Sequence, residues 1–213
     1  MKTLFTTALL ALLGTGVFAQ TSQGTFAVSG SVSYYNSNGN TSSLPTTISD
    51  TNRNLALRPS VGYFISDGTE AGISVGITSS LRKTIYDTGE NISKNNSVTL
   101  GVYLRKYVAL TEQLSLHGTG YISAGLGKTR YSNTSSADEL TQNTNNYAIG
   151  LYPGLTYFAT PKLGLTASFG NISFSRQSTK LLYENDDRSV SSKFDANLSF
   201  SSFGIGLSYF IAR

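Results

Sequence analysis

Asn54-Leu55-Ala56-Leu57-Arg58-Pro59-Ser60-Val61-Gly62-Tyr63-Phe64-Ile65 is the stretch on which the fold turns. Leu55, Leu57, Pro59, Val61, Tyr63 and Ile65 form one set; Asn54, Ala56, Arg58, Ser60, Gly62 and Phe64 form the other. A period of two puts the sets on opposite faces of a β-strand. The apolar set is bulky, whereas the other is mostly small or polar, with one cation inside it.

The same habit recurs outward in both directions. Phe26, Val28, Gly30, Val32 and Tyr34 alternate with Ala27, Ser29, Ser31, Ser33 and Tyr35, and Ile73, Val75 and Ile77 with Gly72, Ser74, Gly76 and Thr78. Val98, Leu100, Val102 and Leu104 stand against Thr99, Gly101, Tyr103 and Arg105. Runs near 114–124, 147–157, 163–174 and 194–211 complete eight, with slips of parity at Gly170-Asn171 and near Ser201-Ser202 that predict bulges. Between runs, long polar stretches at about 36–52, 82–96, 128–145 and 176–193 read as loops, and 66–69, 111–113 and 159–162 as short turns. Long connections at one end and short ones at the other are the pattern of an up-and-down membrane barrel.

Soluble barrels alternate too, so the composition of the two faces decides the class. Only 13% of residues are charged, and almost all of them fall in loops and turns. A soluble exterior carries roughly a quarter to a third charged residues. Uncharged bulky residues on one face and Gly, Ser, Thr and Tyr on the other fit a wall with lipid outside and a polar lumen inside. The expected fold is all-β: an eight-stranded antiparallel up-and-down transmembrane β-barrel.

Residues 1–19 read as a cleavable signal peptide, with Lys2 as the charged start, Leu4 to Val17 as the apolar stretch and Val17-Phe18-Ala19 before the cut. The stretch is shorter than the ~20 residues of a spanning helix. Residues 20–213 form the barrel domain. With no cysteine, a disulfide framework, a thiolate metal site and a lipoprotein anchor are excluded. The net charge of +4, one less without Lys2, is scattered and marks no nucleic-acid surface.

Three aromatic pairs recur at one end: Tyr63-Phe64, Tyr157-Phe158 and Tyr209-Phe210. Strand parity turns the tyrosines to lipid as a periplasmic-side girdle, where a phenol keeps its ring in hydrocarbon and its hydroxyl wet. The phenylalanines turn inward. With Tyr35, Tyr103, Tyr107, Tyr121 and Tyr152 they fill a lumen that eight strands leave only wide enough for side chains.

Pro59 to Phe64, Tyr103-Leu104-Arg105-Lys106-Tyr107, Pro153 to Phe158, Leu163 to Ser175 and Gly204 to Phe210 resemble motifs of small outer-membrane barrel proteins common in Bacteroidetes, a porin family of OmpX-like architecture. The resemblance spans nearly the whole mature chain. It implies insertion into the cell outer membrane with the help of periplasmic chaperones and barrel-assembly machinery.

Candidate chemistry is sparse. Arg58 and Arg105 are the cations well inside strands, and Glu70 has lumen parity between them. Charge at membrane depth is tolerated where it faces a wet or paired interior. The three residues are expected to form a structural lumen network, Glu70 pairing with Arg105 before Arg58. His117, the only histidine, stands two residues from Ser115 at the short-turn end, without an acidic partner to complete a nucleophilic triad. It reads as a lumen histidine hydrogen-bonded to hydroxyls. No catalytic, cofactor or metal residue is assigned. The expected role is a non-enzymatic, monomeric envelope barrel in contact with outer-membrane lipids, with a structural or surface-interaction function. A narrow porin-like channel is the alternative, and a lipid A-modifying enzyme the third reading.

Overall fold

The computed structural model describes residues 19–43, 46–87, 89–134, 136–182, 188–197 and 203–211. The region predicted as a signal peptide therefore lies outside the described residues except for Ala19, as does the parity slip near Ser201-Ser202. Ten strand segments follow one another: β1 Phe26–Ser43, β2 Thr46–Ser66, β3 Thr69–Tyr86, β4 Gly89–Ala109, β5 Leu114–Asn133, β6 Ser136–Thr160, β7 Leu163–Phe169, β8 Asn171–Leu181, β9 Arg188–Asn197 and β10 Phe203–Ile211. Every pairing among them is antiparallel.

The ten segments occupy eight positions. β7 and β8 both pair with β6, one below the other, and β10 and β9 continue the wall beyond them. Gly154 pairs with Ser168 and Leu151 with Ile172, so β6 has two residues where the neighbouring strand has three. The extra residue is accommodated at Gly170, which has φ 72°. This is the bulge predicted at Gly170-Asn171, and glycine supplies the left-handed backbone there without steric cost. The ring closes where Phe26 to Gly30 of β1 meet Leu207 to Ile211 of β10. Above Gly30, among the described residues, β1 pairs only with β2 and β9 only with β8.

The short turns fall where the sequence places them, with Gly68 at φ 64° between β2 and β3. The long loops do not. β1 and β2 stay paired to Ser43↔Thr46, β3 and β4 to Tyr86↔Gly89, and β5 and β6 to Asn133↔Ser136. The stretches at 36–52, 82–96 and 128–145 are thus mostly paired hairpin extensions, and 176–193 is largely strand as well. Crossing the hydrocarbon takes only ~9–11 residues of strand, but β6 runs for 25. Apolar alternation ends where lipid ends, while the backbone ladder, rich there in β-favouring threonine, continues.

Outward positions carry the bulky set: Leu57, Ile73, Leu100, Ile122 and Ile149 are all exposed. The inward set divides by height. At the short-turn end Phe64, Tyr107, Phe158 and Phe210 join Ala27 in a buried cluster. The Phe158 and Phe210 rings lie 5.3 Å apart and those of Phe64 and Tyr107 5.6 Å, tilted as aromatic quadrupoles prefer. The N-terminal segment lies over the adjacent turn, with Gly68 N–H donating to Thr21 O at 2.7 Å and Phe64 N–H to Thr25 O at 2.9 Å. Higher up, the filled lumen expected from the sequence gives way to a cavity of about 550 Å³. Tyr121 and Tyr152 line its side and Tyr35 is 56% exposed. The reason is composition, because inward positions above Tyr103 are almost all Ser, Thr or Gly.

Candidate functional site: the lumen charge network

β3 and β4 set Glu70 directly opposite Arg105. Both are buried, Glu70 fully and Arg105 to 7% exposure, and Arg105 Nη1 lies 3.5 Å from Glu70 Oε2. Tyrosines complete the shell of the carboxylate. Tyr103 donates to Oε1 at 2.5 Å and Tyr107 to Oε2 at 3.0 Å. Arg105 donates through Nε to Thr119 Oγ1 at 2.9 Å and through Nη1 to Tyr107 Oη at 3.2 Å, with Tyr152 Oη 3.5 Å from Nη2. Its guanidinium also lies 5.2 Å from the centre of the Tyr103 ring, within cation–π range. A buried pair survives desolvation only when its remaining lone pairs and protons are satisfied, and side chains from β4, β5 and β6 do that here.

Arg58 does not join the network. Among the described residues it makes no ion pair or hydrogen bond, and its side chain is exposed to the cavity above. The predicted three-residue network is thus a pair, because Arg58 stands opposite Ser31 of β1, well above the Glu70 level. The partners not legible in the sequence are Tyr103, Tyr107, Thr119 and Tyr152. Their inward parity was visible, but not that hydroxyls on neighbouring strands converge on one ion pair.

His117 is 1% exposed, with Nδ1 3.4 Å from Thr119 Oγ1 and its ring 5.5 Å from that of Tyr107. Among the described residues Nε2 has no hydrogen-bond partner, and no hydrogen bond joins His117 to the equally buried Ser115. The imidazole covers Gly154, its direct neighbour across β5 and β6. Tyr103 covers Gly72 and Tyr121 covers Gly150 in the same way, each ring above the glycine opposite it. A ring leaning over a facing glycine fills the space that residue leaves empty. Tyr63, Tyr157 and Tyr209 stand outward at the short-turn end, 39%, 44% and 47% exposed. The Tyr63 and Phe26 rings lie 4.9 Å apart, tilted by 56°, and Tyr157 donates to Gln113 Oε1 at 3.3 Å. No group of three His, Asp or Glu side chains converges among the described residues.

A closed antiparallel wall, apolar outside and polar inside, defines a transmembrane β-barrel of the outer membrane. Residues 5–210 match the outer membrane protein beta-barrel domain, and the chain belongs to that family. No curated relative matches the sequence. Among solved structures, the outer membrane protein OprG from Pseudomonas aeruginosa is similar over 92% of this chain and 100% of its own, at 10% identity and a TM-score of 0.52. A major outer membrane protein from Thermus thermophilus aligns over 88% of this chain and 99% of its own, with 12% identity and a TM-score of 0.49. Ail, the attachment invasion locus protein of Yersinia pestis, aligns over 89% and 99%, with 17% identity and a TM-score of 0.39.

Proposed function

We propose that this barrel is a non-enzymatic, non-conducting component of the outer membrane, whose long paired hairpins form its contact surface outside the cell. The closed short-turn end carries the reading. The buried Glu70–Arg105 pair and the cluster of Phe64, Tyr107, Phe158 and Phe210 occupy the cross-section there, and the Thr21–Thr25 segment lies against the turn next to it. The outward tyrosines at that end hold its height at the periplasmic interface. Reconstitution in planar bilayers tests the closure, since a barrel sealed in this way gives no steady ion current.

The open cavity above favours a second reading, a narrow channel gated by movement of the network. Under that reading Glu70→Gln and the parent protein conduct alike once the floor opens. Under the first, only a variant that loosens the floor conducts.

A further inference from the structure

Among the described residues that line the cavity of the upper lumen, one cation is uncompensated. Of those lining the 550 Å³ cavity only Arg58 and Arg105 are charged, and Arg105 is already paired with Glu70. Arg58 has neither an ion pair nor a hydrogen bond among the described residues. Its surroundings leave room for a partner. Ser31 faces it on β1, and the register from Leu57↔Ile77 to Ser60↔Ser74 brings Gly76 beside it on β3. Pro59 has no N–H to give the ladder at this point. The wall of the same cavity includes Ser29, Ser31, Ser60, Ser74 and Thr99, hydroxyls that can donate or accept, and none of the described lining residues is a carboxylate.

An arginine lining a cleft of one sign of charge raises the local concentration of anions, and its planar fork fits the oxygens of carboxylate and phosphate in pairs. We infer that the lumen above the Glu70–Arg105 floor is a binding site for a small oxyanion, with Arg58 as its anchor. A phosphate monoester makes the fullest use of it: two oxygens take the guanidinium, and the remaining one takes hydroxyls from β1 to β3. The phosphate can belong to a free solute entering from the hairpin end or to the headgroup of a surrounding lipid. The site depends on the open upper lumen and not on the closed floor, so binding and conductance fail independently.

The experiment uses the full mature chain in phosphatidylcholine nanodiscs, with heat-modifiable gel migration reporting correct folding. One arm titrates inorganic phosphate by calorimetry. The other incorporates fluorescent phosphatidic acid and follows its binding by energy transfer from the barrel tyrosines. Two variants probe the site. Arg58→Gln removes the anchor. Gly76→Phe occupies the space beside it, where a Cβ meets only Thr99, at 3.5 Å. The parent protein is expected to bind at least one probe, and both variants to weaken that binding about tenfold or more. Phosphate alone identifies a free solute as the source, and phosphatidic acid alone a lipid. Failure of the folded parent protein to bind either probe overturns the proposal. So does binding that survives Arg58→Gln, or binding that is lost in Arg58→Gln but untouched by Gly76→Phe, since the anion would then sit outside the cavity.

Discussion

Glu70 and Arg105 face each other across β3 and β4 with Oε2 and Nη1 3.5 Å apart, and both are buried. The distance is long for a direct charge-assisted bond. Tyr107 shortens the path, since its hydroxyl donates to Glu70 at 3.0 Å and accepts from Arg105 at 3.2 Å. The pair is thus a triangle that locks β3 to β4 at the floor of the lumen.

Removing one charge leaves the other buried and alone. Glu70→Gln is expected to cost about 3–5 kcal/mol, the usual penalty for breaking a buried pair from one side. The Glu70→Gln/Arg105→Met double variant should recover part of that loss. Urea unfolding of the barrel in vesicles, followed by gel migration, measures both. A double variant that loses as much as the two singles together would contradict the pairing.

Tyr103→Phe removes the 2.5 Å bond to Glu70 Oε1 but keeps the ring over Gly72. A hydrogen bond to a charged group contributes about 1.5–3 kcal/mol, so the loss should fall in that range. Tyr103→Ala should cost more, because the glycine loses its cover as well. Equal stability of Tyr103→Phe and the parent would show that the hydroxyl does nothing.

A methyl group at Gly154 would run into the His117 imidazole and lie 2.7 Å from the Ala167 carbonyl oxygen. Gly154→Ala is expected to destabilise the barrel, and His117→Ser in the same chain to relieve part of the strain. Independent, additive costs in a double-mutant cycle would separate the two residues.

The eight wall positions, the bulge at Gly170-Asn171 and the short turns were legible because lipid imposes strict alternation on every crossing strand. Three features were not. Hairpin extensions such as β3–β4 from Ile77↔Val98 to Tyr86↔Gly89 carry polar residues on both faces, so they read as loops although their ladders persist. The hollow above Tyr103 depends on the side-chain volume at each height, which a count of inward aromatics along the whole lumen averages away. Arg58 and Arg105 have the same inward parity, and only the stagger between strands separates the cation that has no partner among the described residues from the paired one.

The orientation has its own check. Lys94, Lys128 and Lys193 stand on the hairpin side and are exposed, whereas Lys106 and Lys162 stand at the short turns. A membrane-impermeant amine reagent applied to intact cells should label the first three and spare the last two. Labelling of Lys162 without permeabilisation would invert the barrel.

Single-channel recording in planar bilayers tests closure of the short-turn end most directly. The parent barrel is expected to insert without conductance steps, while Phe210→Ala combined with Phe158→Ala opens the aromatic floor and passes current. Stable open steps from the parent protein, unchanged in the double variant, would contradict it.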